Sequence, residues 1–207
     1  MRISSTIFII DDDPAVLKGL RRLLSAEGYN VSTYSSALAF LNESYASKPA
    51  CFIIDLAMPD MNGLELQREL SLGEEDPAII FLTGKGDIPT SVQAMKQGAV
   101  DFLTKPVDAE TLLIAVQAAI EKGRQNRQRV EDLKSLHERF ITLTRREREV
   151  FQHVVRGQLN KEIAADLNVV EKTIKVHRAR VIEKMRAQSL ADLVRMSVVL
   201  DQNPIAS

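Results

Sequence analysis

The sequence predicts an α/β domain, built on a doubly wound five-stranded parallel sheet, followed by a separate all-helical domain. Three observations predict this division. Between residues 6 and 122, five short apolar runs alternate with helical patterns, as parallel strands joined by helical crossovers do. Between residues 144 and 200, apolar side chains recur only at the helical spacings of three and four. The charge balance also reverses, from 10 Lys and Arg against 17 Asp and Glu up to Lys122 to 17 against 11 from Gly123 onward.

The predicted strands and helices of the first part follow one another in alternation. The strands are TIFIID (6–11), NVSTY (30–34), CFIID (51–55), AIIFLT (78–83) and VDFLT (100–104). The helices run from Pro14 to about Gly28, from about Ser36 to Glu43, from Gly63 onward, around 88–97, and from Asp108. Right-handed crossovers place such helices on both faces of a sheet. We therefore expect apolar strands that are buried on both sides.

Residues 121–143 predict a helical linker that continues the last helix of the sheet domain. The segment is rich in charged and long side chains and contains no proline. Its apolar residues form a seam at spacings of three and four: Val130, Leu133, Leu136, Phe140 and Leu143. Such a seam either pairs weakly with a partner or lies on a solvated helix, and over so few turns both interpretations stay open. The predicted boundaries are 1–122, a linker at 123–141, and 142–207.

Residues 142–207 predict four helices. The first begins with a Thr-x-x-Glu capping box at Thr144, and its inner face is Val150, Phe151, Val154 and Val155, before Gly157. The others are a short helix at 160–167 capped by Asn160, a basic helix at 171–185, and a helix capped by Ser189 with Asp192 three residues later. A short helix, a tight connection containing Asn168 and a longer basic helix are typical of a helix-turn-helix.

Composition excludes several classes of protein. The 207 residues are 45% apolar and 27% charged, which is typical of a globular chain, and no apolar run approaches the ~20 residues of a membrane span. The first residues run directly into a strand, so we expect no cleavable leader. A single cysteine, Cys51, excludes a disulfide within the chain and favours a reducing cytoplasm. The histidines are scattered and lack cysteine partners, which argues against a zinc site.

Polar side chains follow four of the predicted strands at the same end. They are Asp11, Asp12 and Asp13 after the first strand, Asp55 at the end of the third, Thr83 at the end of the fourth, and Lys105 after the fifth. Doubly wound sheets bind ligands at this edge. Three converging carboxylates repel one another unless a cation lies between them, and carboxylate oxygens suit Mg²⁺. Together with an ammonium group, such an ion is suited to hold a phosphoryl group.

The run of three acids has a second interpretation that the sequence leaves open. Acidic residues are favoured before and in the first turn of a helix, where they cap backbone N–H groups and meet the helix dipole. Asp11, Asp12 and Asp13 stand directly before Pro14, so each of them alone could serve this purpose. Only the joint placement at four strand ends favours a metal site.

Residues 6–122 resemble the receiver domain of bacterial two-component response regulators. The matching stretches are DD (11–12), IIDLAMPDMNG (53–63), FLTG (81–84) and GAVDFLTKP (98–106). The resemblance implies that Asp55 is the phosphoacceptor and that Mg²⁺ or Mn²⁺ is held by Asp11, Asp12, Asp55 and the carbonyl of Ala57. It also implies that Lys105 pairs with the phosphoryl group, that Thr83 and Phe102 form the switch, and that the Lys105–Pro106 bond is cis.

Two enzyme classes agree less well with the residues. Phosphatases of the haloacid dehalogenase type place a second Asp two residues after their nucleophile, where this chain has Ala57. No G-x-G-x-x-G follows the first strand, and TGKGD (83–87) lacks the spacing of a phosphate-binding loop. We interpret TGKGD as a turn, and we expect no enzyme activity beyond metal-dependent self-phosphorylation and slow autodephosphorylation.

The basic helix at 171–185 offers one face to a polyanion. Ile174, Val181 and Met185 share its predicted inner face, whereas the outer face carries cations for phosphate or guanine and small apolar groups for thymine methyls. LTRREREVF (143–151), NKEIAADLNVVEKTIKVHRARVIEKM (160–185) and SLADLVRM (189–196) are similar to the DNA-binding domain of the LuxR/NarL class. The expected DNA contacts are Lys172, Thr173, Lys175, Val176, Arg178 and Arg180.

The combination of both resemblances is similar to the FixJ subfamily and covers nearly the whole chain. It implies a transcriptional regulator that takes a phosphoryl group from a sensor histidine kinase, dimerises, and binds promoter DNA, with RNA polymerase as a further partner. Two rival hypotheses are a constitutive DNA binder with a degenerate receiver and an adaptor that never touches DNA. The intact set of acids argues against the first rival, and the basic face of the helix at 171–185 argues against the second.

Overall fold

The computed structural model describes residues 6–43, 50–72, 77–84 and 88–203. The chain divides into two compact units, Met1–Gln128 and Arg129–Ser207. Residues 85–87, and with them most of the turn predicted at TGKGD, lie outside the described residues. Within the described part, no helix is both long enough and apolar enough to cross a membrane.

The first unit is built on a five-stranded parallel sheet, which confirms the predicted fold class. Its strands are β1 (Thr6–Ile10), β2 (Asn30–Tyr34), β3 (Cys51–Asp55), β4 (Ile79–Thr83) and β5 (Asp101–Thr104), in the order β2-β1-β3-β4-β5. Every residue of β3 and β4 is buried, as expected of central strands covered on both faces. The strand order reverses between β1 and β3, so the carboxyl ends of these two strands border a crevice.

Within the described residues, five helices pack against this sheet, the last of them through its N-terminal part. They are α1 (Pro14–Ala26), α2 (Ala37–Leu41), α3 (Gly63–Ser71), α4 (Ile88–Lys96) and α5 (Ala109–Ile141). One core cluster joins α1 and α5 to one face of the sheet, and the other joins α2, α3 and α4 to the opposite face. Helix α2 is shorter than predicted, since Ser36 caps it and Asn42 already follows its last residue.

The second unit contains the four predicted helices, and its capping signals are confirmed with one exception. The helices are α6 (Arg145–Val155), α7 (Asn160–Asp166), α8 (Glu171–Met185) and α9 (Leu190–Gln202). Thr144 and Ser189 cap α6 and α9 as predicted. The predicted cap at Asn160 is wrong, because the chain enters α7 one residue earlier and Leu159 is the N-cap residue. The side chain of Glu162 instead accepts a hydrogen bond from the Leu159 N–H at 2.7 Å.

The predicted linker helix is continuous with α5. The C-terminal end of its apolar seam neither pairs with a partner nor lies on a solvated helix. Leu136 and Leu143 are buried, and Phe140 packs beside them, in the core cluster of the second unit. The Phe140 ring meets the Phe151 ring edge to face at a centroid distance of 5.6 Å. These residues therefore form part of the second core, because the helix that precedes α6 folds against it.

Candidate functional site

Three carboxylates lie together beyond the ends of β1 and β3. Asp11 follows β1 and is fully buried, Asp55 is the last residue of β3 and only 4% exposed, and Asp12 is exposed. One oxygen from each of the three lies within 4.8 Å of the others. The adjacent pairing of β1 and β3 produces this juxtaposition. The structure thus brings together the acids that the sequence had placed at two separate strand ends.

Asp13 has the other function that the sequence had left open. It is the N-cap residue of α1, and its carboxylate accepts a hydrogen bond from the Ala15 N–H at 2.7 Å. Its own N–H donates to Asp11 Oδ1 at 2.9 Å. The acid run is therefore divided between a helix cap at Asp13 and a carboxylate cluster at Asp11 and Asp12.

Lys105 supplies a positive charge to this cluster. Its backbone N–H donates to the Thr83 carbonyl at 2.7 Å, directly beyond the last residues of β4 and β5. Its Nζ lies 2.6 Å from Asp11 Oδ2 and 3.2 Å from Asp55 Oδ1. Burial opposes the charged ammonium, but the bonds and charges of both carboxylates outweigh it and raise the pKa of Lys105. The Lys105–Pro106 bond is cis, as the sequence resemblance implied.

The residues of the cluster fit a divalent cation. Burial raises the pKa of Asp11 despite its bond to Lys105, so this carboxylate is short of stabilising partners. Asp11 Oδ2 and Asp55 Oδ1 are buried and, within the described residues, receive no hydrogen bond of good geometry besides the ionic contact with Lys105. Three acids against one ammonium leave an excess of negative charge that a hard cation neutralises. The set is therefore consistent with a divalent metal site.

The two predicted switch residues lie on the neighbouring strands. Thr83 is the last residue of β4, is 3% exposed, and pairs in register with Thr104. Phe102 in β5 pairs with Phe81 and is half-buried against the core cluster of α2, α3 and α4. Ala57 is exposed in the connection after β3. The roles of Thr83, Phe102 and the Ala57 carbonyl stay predictions.

Helix α8 presents the basic face that the sequence predicted. Ile174, Val181 and Met185 are fully buried in the second core. The expected DNA contacts fall into two groups: Lys172, Lys175, Val176 and Arg180 are exposed, whereas Thr173 and Arg178 are half-buried. Lys175 Nζ lies 3.1 Å from Glu171 Oε1 in an exposed pair, and such exposed pairs contribute little to stability.

Comparisons with known proteins identify the family. Residues 7–117 match the family described as response regulator receiver domain, and residues 141–197 match the luxR family of bacterial regulatory proteins. The chain is 46% identical over 195 residues to the response regulator protein TodT of Pseudomonas putida, covering 94% of this chain and 86% of TodT. It is 41% identical over 193 residues to the transcriptional regulatory protein FixJ of Rhizobium meliloti, covering 93% and 95%. The chain belongs to the response regulators of the TodT and FixJ family.

A solved structure agrees with this family. The response regulator StyR superposes with a TM-score of 0.80 at 39% identity, covering 94% of this chain and 98% of StyR. This response regulator is thus a two-component transcription factor with a LuxR-type DNA-binding domain. A response regulator implies a histidine kinase partner and DNA binding, and members of this class are typically regulators rather than enzymes.

The sequence of this response regulator did not reveal how closely Gly63 approaches the backbone of Asp55. A Cβ at Gly63 would lie 2.6 Å from the Asp55 carbonyl oxygen and 3.1 Å from Cε1 of Phe81. Asn62 and Glu65 form a capping box that starts α3 at this glycine. The sequence signal was an Asn-Gly pair between a strand and a helix, but the close approach became visible only in three dimensions.

Sequence reasoning also missed a buried ion pair in the DNA-binding unit of this response regulator. Glu147 is 2% exposed, and its Oε2 lies 2.6 Å from Lys184 Nζ and accepts the Thr144 N–H at 2.8 Å. Burial opposes ionisation, but the bonds to Lys184 and Thr144 outweigh it and lower the pKa of Glu147. The ion pair joins the start of α6 to the end of α8, the helix that carries the basic face.

Proposed function

We propose that Asp55 accepts a phosphoryl group from a sensor histidine kinase and that the phosphorylated chain dimerises and binds promoter DNA. The observation that carries this proposal is the placement of Lys105 Nζ within 3.2 Å of both Asp11 and Asp55 at a cluster of three acids. A structural ion pair needs one acid for each lysine. Here two further carboxylates are gathered at the same edge of the sheet, where ligands of this fold bind.

The proposed reaction is the transfer of a phosphoryl group between two nucleophiles. A carboxylate oxygen of Asp55 attacks phosphorus in the phosphohistidine of the kinase and forms a new P–O bond. The P–N bond breaks, and its electron pair remains on the leaving imidazole. Lys105 neutralises charge on the phosphoryl oxygens, since its ammonium already lies beside Asp55. The chain's catalytic contribution ends there, together with the slow hydrolysis of its own acyl phosphate.

Mg²⁺ or Mn²⁺ would be held by Asp11, Asp12, Asp55 and the Ala57 carbonyl. When bound, the ion supplies positive charge that screens the carboxylates from the incoming phosphoryl group. Asp11 and Asp55 would bind the ion through their buried oxygens, which receive no well-aligned hydrogen bond within the described residues. Asp12 adds an exposed oxygen at the open side of the cluster.

The proposed switch begins at Thr83 and Phe102. The Thr83 hydroxyl moves toward the phosphoryl group, and Phe102 turns inward on the adjacent strand. The surface of about residues 88–104 then changes and becomes the dimerisation face. This step requires that the phosphoryl group interact more favourably with one conformation than with the other, since equal interaction would shift no equilibrium.

The proposed DNA-binding step places α8 in the major groove. Lys175 and Val176, exposed near the start of the helix, meet base edges, with Thr173 beside them. Lys172, Arg178 and Arg180 meet mostly phosphates, which carry no sequence information. A dimer binds two half-sites, and RNA polymerase is the expected partner at the promoter. We place these events in the cytoplasm.

The test is phosphorylation of the full chain by a small phosphodonor, with and without Mg²⁺. Mass spectrometry should show one added phosphoryl group that requires the ion, and Asp55→Asn should abolish it. Asp60→Asn is the matched control, because Asp60 is an exposed acid on the same loop. Asp12→Ala should slow phosphorylation sharply. A phosphoryl mass on Asp55→Asn in the presence of Mg²⁺ would show that another residue is the acceptor.

The same samples separate the two rival functions. Titration with duplex DNA should show tighter binding after phosphorylation. Equal binding before and after phosphorylation would identify a constitutive DNA binder. Absence of binding in both states, even at low salt, would identify a protein that acts without DNA.

A further inference from the structure

We propose that Asn160 is a positioning residue that holds the Arg178 guanidinium ready for a phosphate of the DNA backbone. This inference rests on the proposed binding of DNA by α8. It assigns to Asn160 a role in DNA binding in place of the helix cap that the sequence predicted. The two residues belong to different helices of the helix-turn-helix, α7 and α8.

Arg178 lies at the edge between the buried and the exposed faces of α8. It follows Ile174 by four residues and precedes Val181 by three, and both of those side chains are fully buried. Arg178 itself is half-buried, and its Nη1 donates to Asn160 Oδ1 at 3.1 Å. Asn160 is the first residue of α7 and is also half-buried. The hydrogen bond therefore restrains the guanidinium at the border of the exposed face.

The rest of the guanidinium is available to an external acceptor. Arginine has five N–H donors, and within the described residues the bond to Asn160 accounts for the protein acceptors of Arg178. None of its nitrogens is among the buried polar atoms without a partner. The remaining donors therefore face solvent, where phosphate oxygens can approach them.

The partner of Arg178 is a neutral carboxamide, which favours a role of this bond in DNA binding over a role in stability alone. Two other cations on α8, Lys175 and Lys184, are paired with carboxylates, and such charge-assisted bonds are stronger than a bond to a neutral amide. The carboxamide of Asn160 orients Arg178 but leaves its positive charge uncompensated. A residue that is held in place and still fully charged loses less conformational freedom when it binds a polyanion.

The test uses the full chain and a 30-base-pair duplex of random sequence, because a phosphate contact needs no specific base. Dissociation constants are measured at several salt concentrations for Asn160→Ala, Asn160→Asp, Arg178→Gln and the double variants, together with thermal unfolding. Lys161→Gln is the control, since Lys161 is the exposed next residue on α7 and this change alters the net charge by the same −1 as Asn160→Asp.

We expect the variants to differ in the salt dependence of binding, in stability and in additivity. Arg178→Gln should make the negative slope of log K against log salt less steep by about 0.9. Asn160→Ala should also make it less steep, and the double variant should show no further loss. Asn160→Asp should keep or raise the unfolding temperature yet weaken binding more than Lys161→Gln does. In the Arg178→Gln background, Asn160→Asp should lose its excess effect and weaken binding no more than Lys161→Gln does.

Other outcomes would overturn the positioning role of Asn160 or the proposed binding of DNA. If Asn160→Asp binds DNA as tightly as the wild-type chain, or if the losses of Asn160→Ala and Arg178→Gln multiply, Asn160 has only a structural role. Asn160→Asp keeps the test decisive if Asn160→Ala fails to fold, because an acid is favourable in the first turn of a helix. If the wild-type chain itself does not bind the duplex at low salt, the proposed function fails instead.

Discussion

The buried carboxylates of the protein differ in how completely they are satisfied. Asp11, Asp55 and Glu147 are each at most 4% exposed, and each meets a lysine. Glu147 and Asp11 each also accept a backbone N–H, but Glu147 has a lowered pKa, as expected of a structural ion pair. Asp11 has a raised pKa and keeps an oxygen without a well-aligned donor among the described residues. The candidate metal site thus differs from the structural ion pair in holding a buried carboxylate whose charge is incompletely stabilised.

Lys184→Met should destabilise the second unit by about 1–3 kcal/mol at pH 7, because Glu147 would lose its charged partner while remaining buried. Since the folded-state pKa of Glu147 lies below its unfolded value, its carboxylate stabilises the fold above about pH 4. This contribution is lost as the pH falls through the lower folded-state pKa. Urea unfolding at pH 7 and near pH 3 should therefore show a difference between wild type and variant that shrinks in acid. Lys172→Met, an exposed lysine on the same helix, should have little effect at either pH.

Gly63→Ala should destabilise the first unit by about 1–3 kcal/mol, because the added methyl group would force apart the start of α3 and the end of β3. The matched control is Gly19→Ala in α1, where a Cβ would meet nothing within 4 Å. That change should stabilise the unit by about 0.5–1 kcal/mol, since alanine loses less backbone entropy in a helix. Chemical denaturation of both variants measures the two effects. A neutral Gly63→Ala would show that the loop after β3 adapts freely.

At the scale of elements, basic side chains join the end of α5 to the end of α8 by donating to the carbonyls there. Arg139 Nη1 donates to the Met185 carbonyl at 2.9 Å, and Lys184 Nζ donates to the Thr142 carbonyl at 3.0 Å. Arginine and lysine near a helix C-terminus satisfy carbonyls that have no helical partner. Each of the two helix ends, of α5 and of α8, thus receives a cation from the other. These bonds agree with the division of the chain, in which the second unit begins at Arg129.

Leu136→Ala should destabilise the second unit by about 2–5 kcal/mol, because Leu136 is buried in its core. Ile141→Ala on the same helix should change stability by under about 0.5 kcal/mol, since Ile141 is 56% exposed. The same packing predicts how fragments behave. The fragment 129–207 should unfold cooperatively, whereas the fragment 142–207 should not, because it lacks Leu136 and Phe140. Circular dichroism and denaturant titration measure both comparisons. A stable 142–207 fragment would show that the last turns of α5 are dispensable.

Lys175→Ala should remove a base preference at one position of the binding site, a discrimination of about 1–3 kcal/mol. Selection of bound duplexes from a random library, read by sequencing, measures preference at every position and does not require a defined operator. Glu171→Ala is the control, since it removes only the exposed partner of Lys175 and should leave base preference unchanged. Equal losses for Lys175→Ala on selected and scrambled DNA would assign Lys175 to the phosphates instead.

At the scale of the whole molecule, the two parts of the chain carry opposite charge. Up to Lys122 there are 10 Lys and Arg against 17 Asp and Glu, and from Gly123 onward 17 against 11. An acidic surface is repelled by the phosphates of DNA and a basic one is attracted to them. The charge distribution therefore favours the part of the chain from Gly123 onward for DNA binding.

Thr83→Ala should separate phosphorylation from dimerisation. The variant keeps Asp11, Asp55 and Lys105, so it should gain a phosphoryl group, but it lacks the hydroxyl proposed to move toward that group. Mass spectrometry measures the first property, and sedimentation or light scattering measures the second. Thr104→Ala is the control, because Thr104 is the exposed partner of Thr83 on β5. Normal dimerisation of phosphorylated Thr83→Ala would place the switch elsewhere.

The sequence alone determined the features that depend on local patterns. Apolar runs separated by helical periods predicted all five strands, and the caps at Thr144 and Ser189 followed from side chains that bond to the backbone two or three residues away. The strand-end positions of Asp11, Asp55 and Lys105 followed from the same pattern, because parallel strands all end at one edge. None of these features depends on which distant residues touch.

Only the tertiary structure decided the features that depend on close approach between distant segments. Gly63 beneath the Asp55 carbonyl, Asn160 as the partner of Arg178, and the last turns of α5 within the second core each join residues that no local period relates. Asn160 is an example: its local preference predicted a helix cap, but α7 begins one residue earlier, and the side chain accepts a hydrogen bond from an arginine eighteen residues later at 3.1 Å. A sequence pattern records which side chains are buried, whereas packing decides which partner each of them meets.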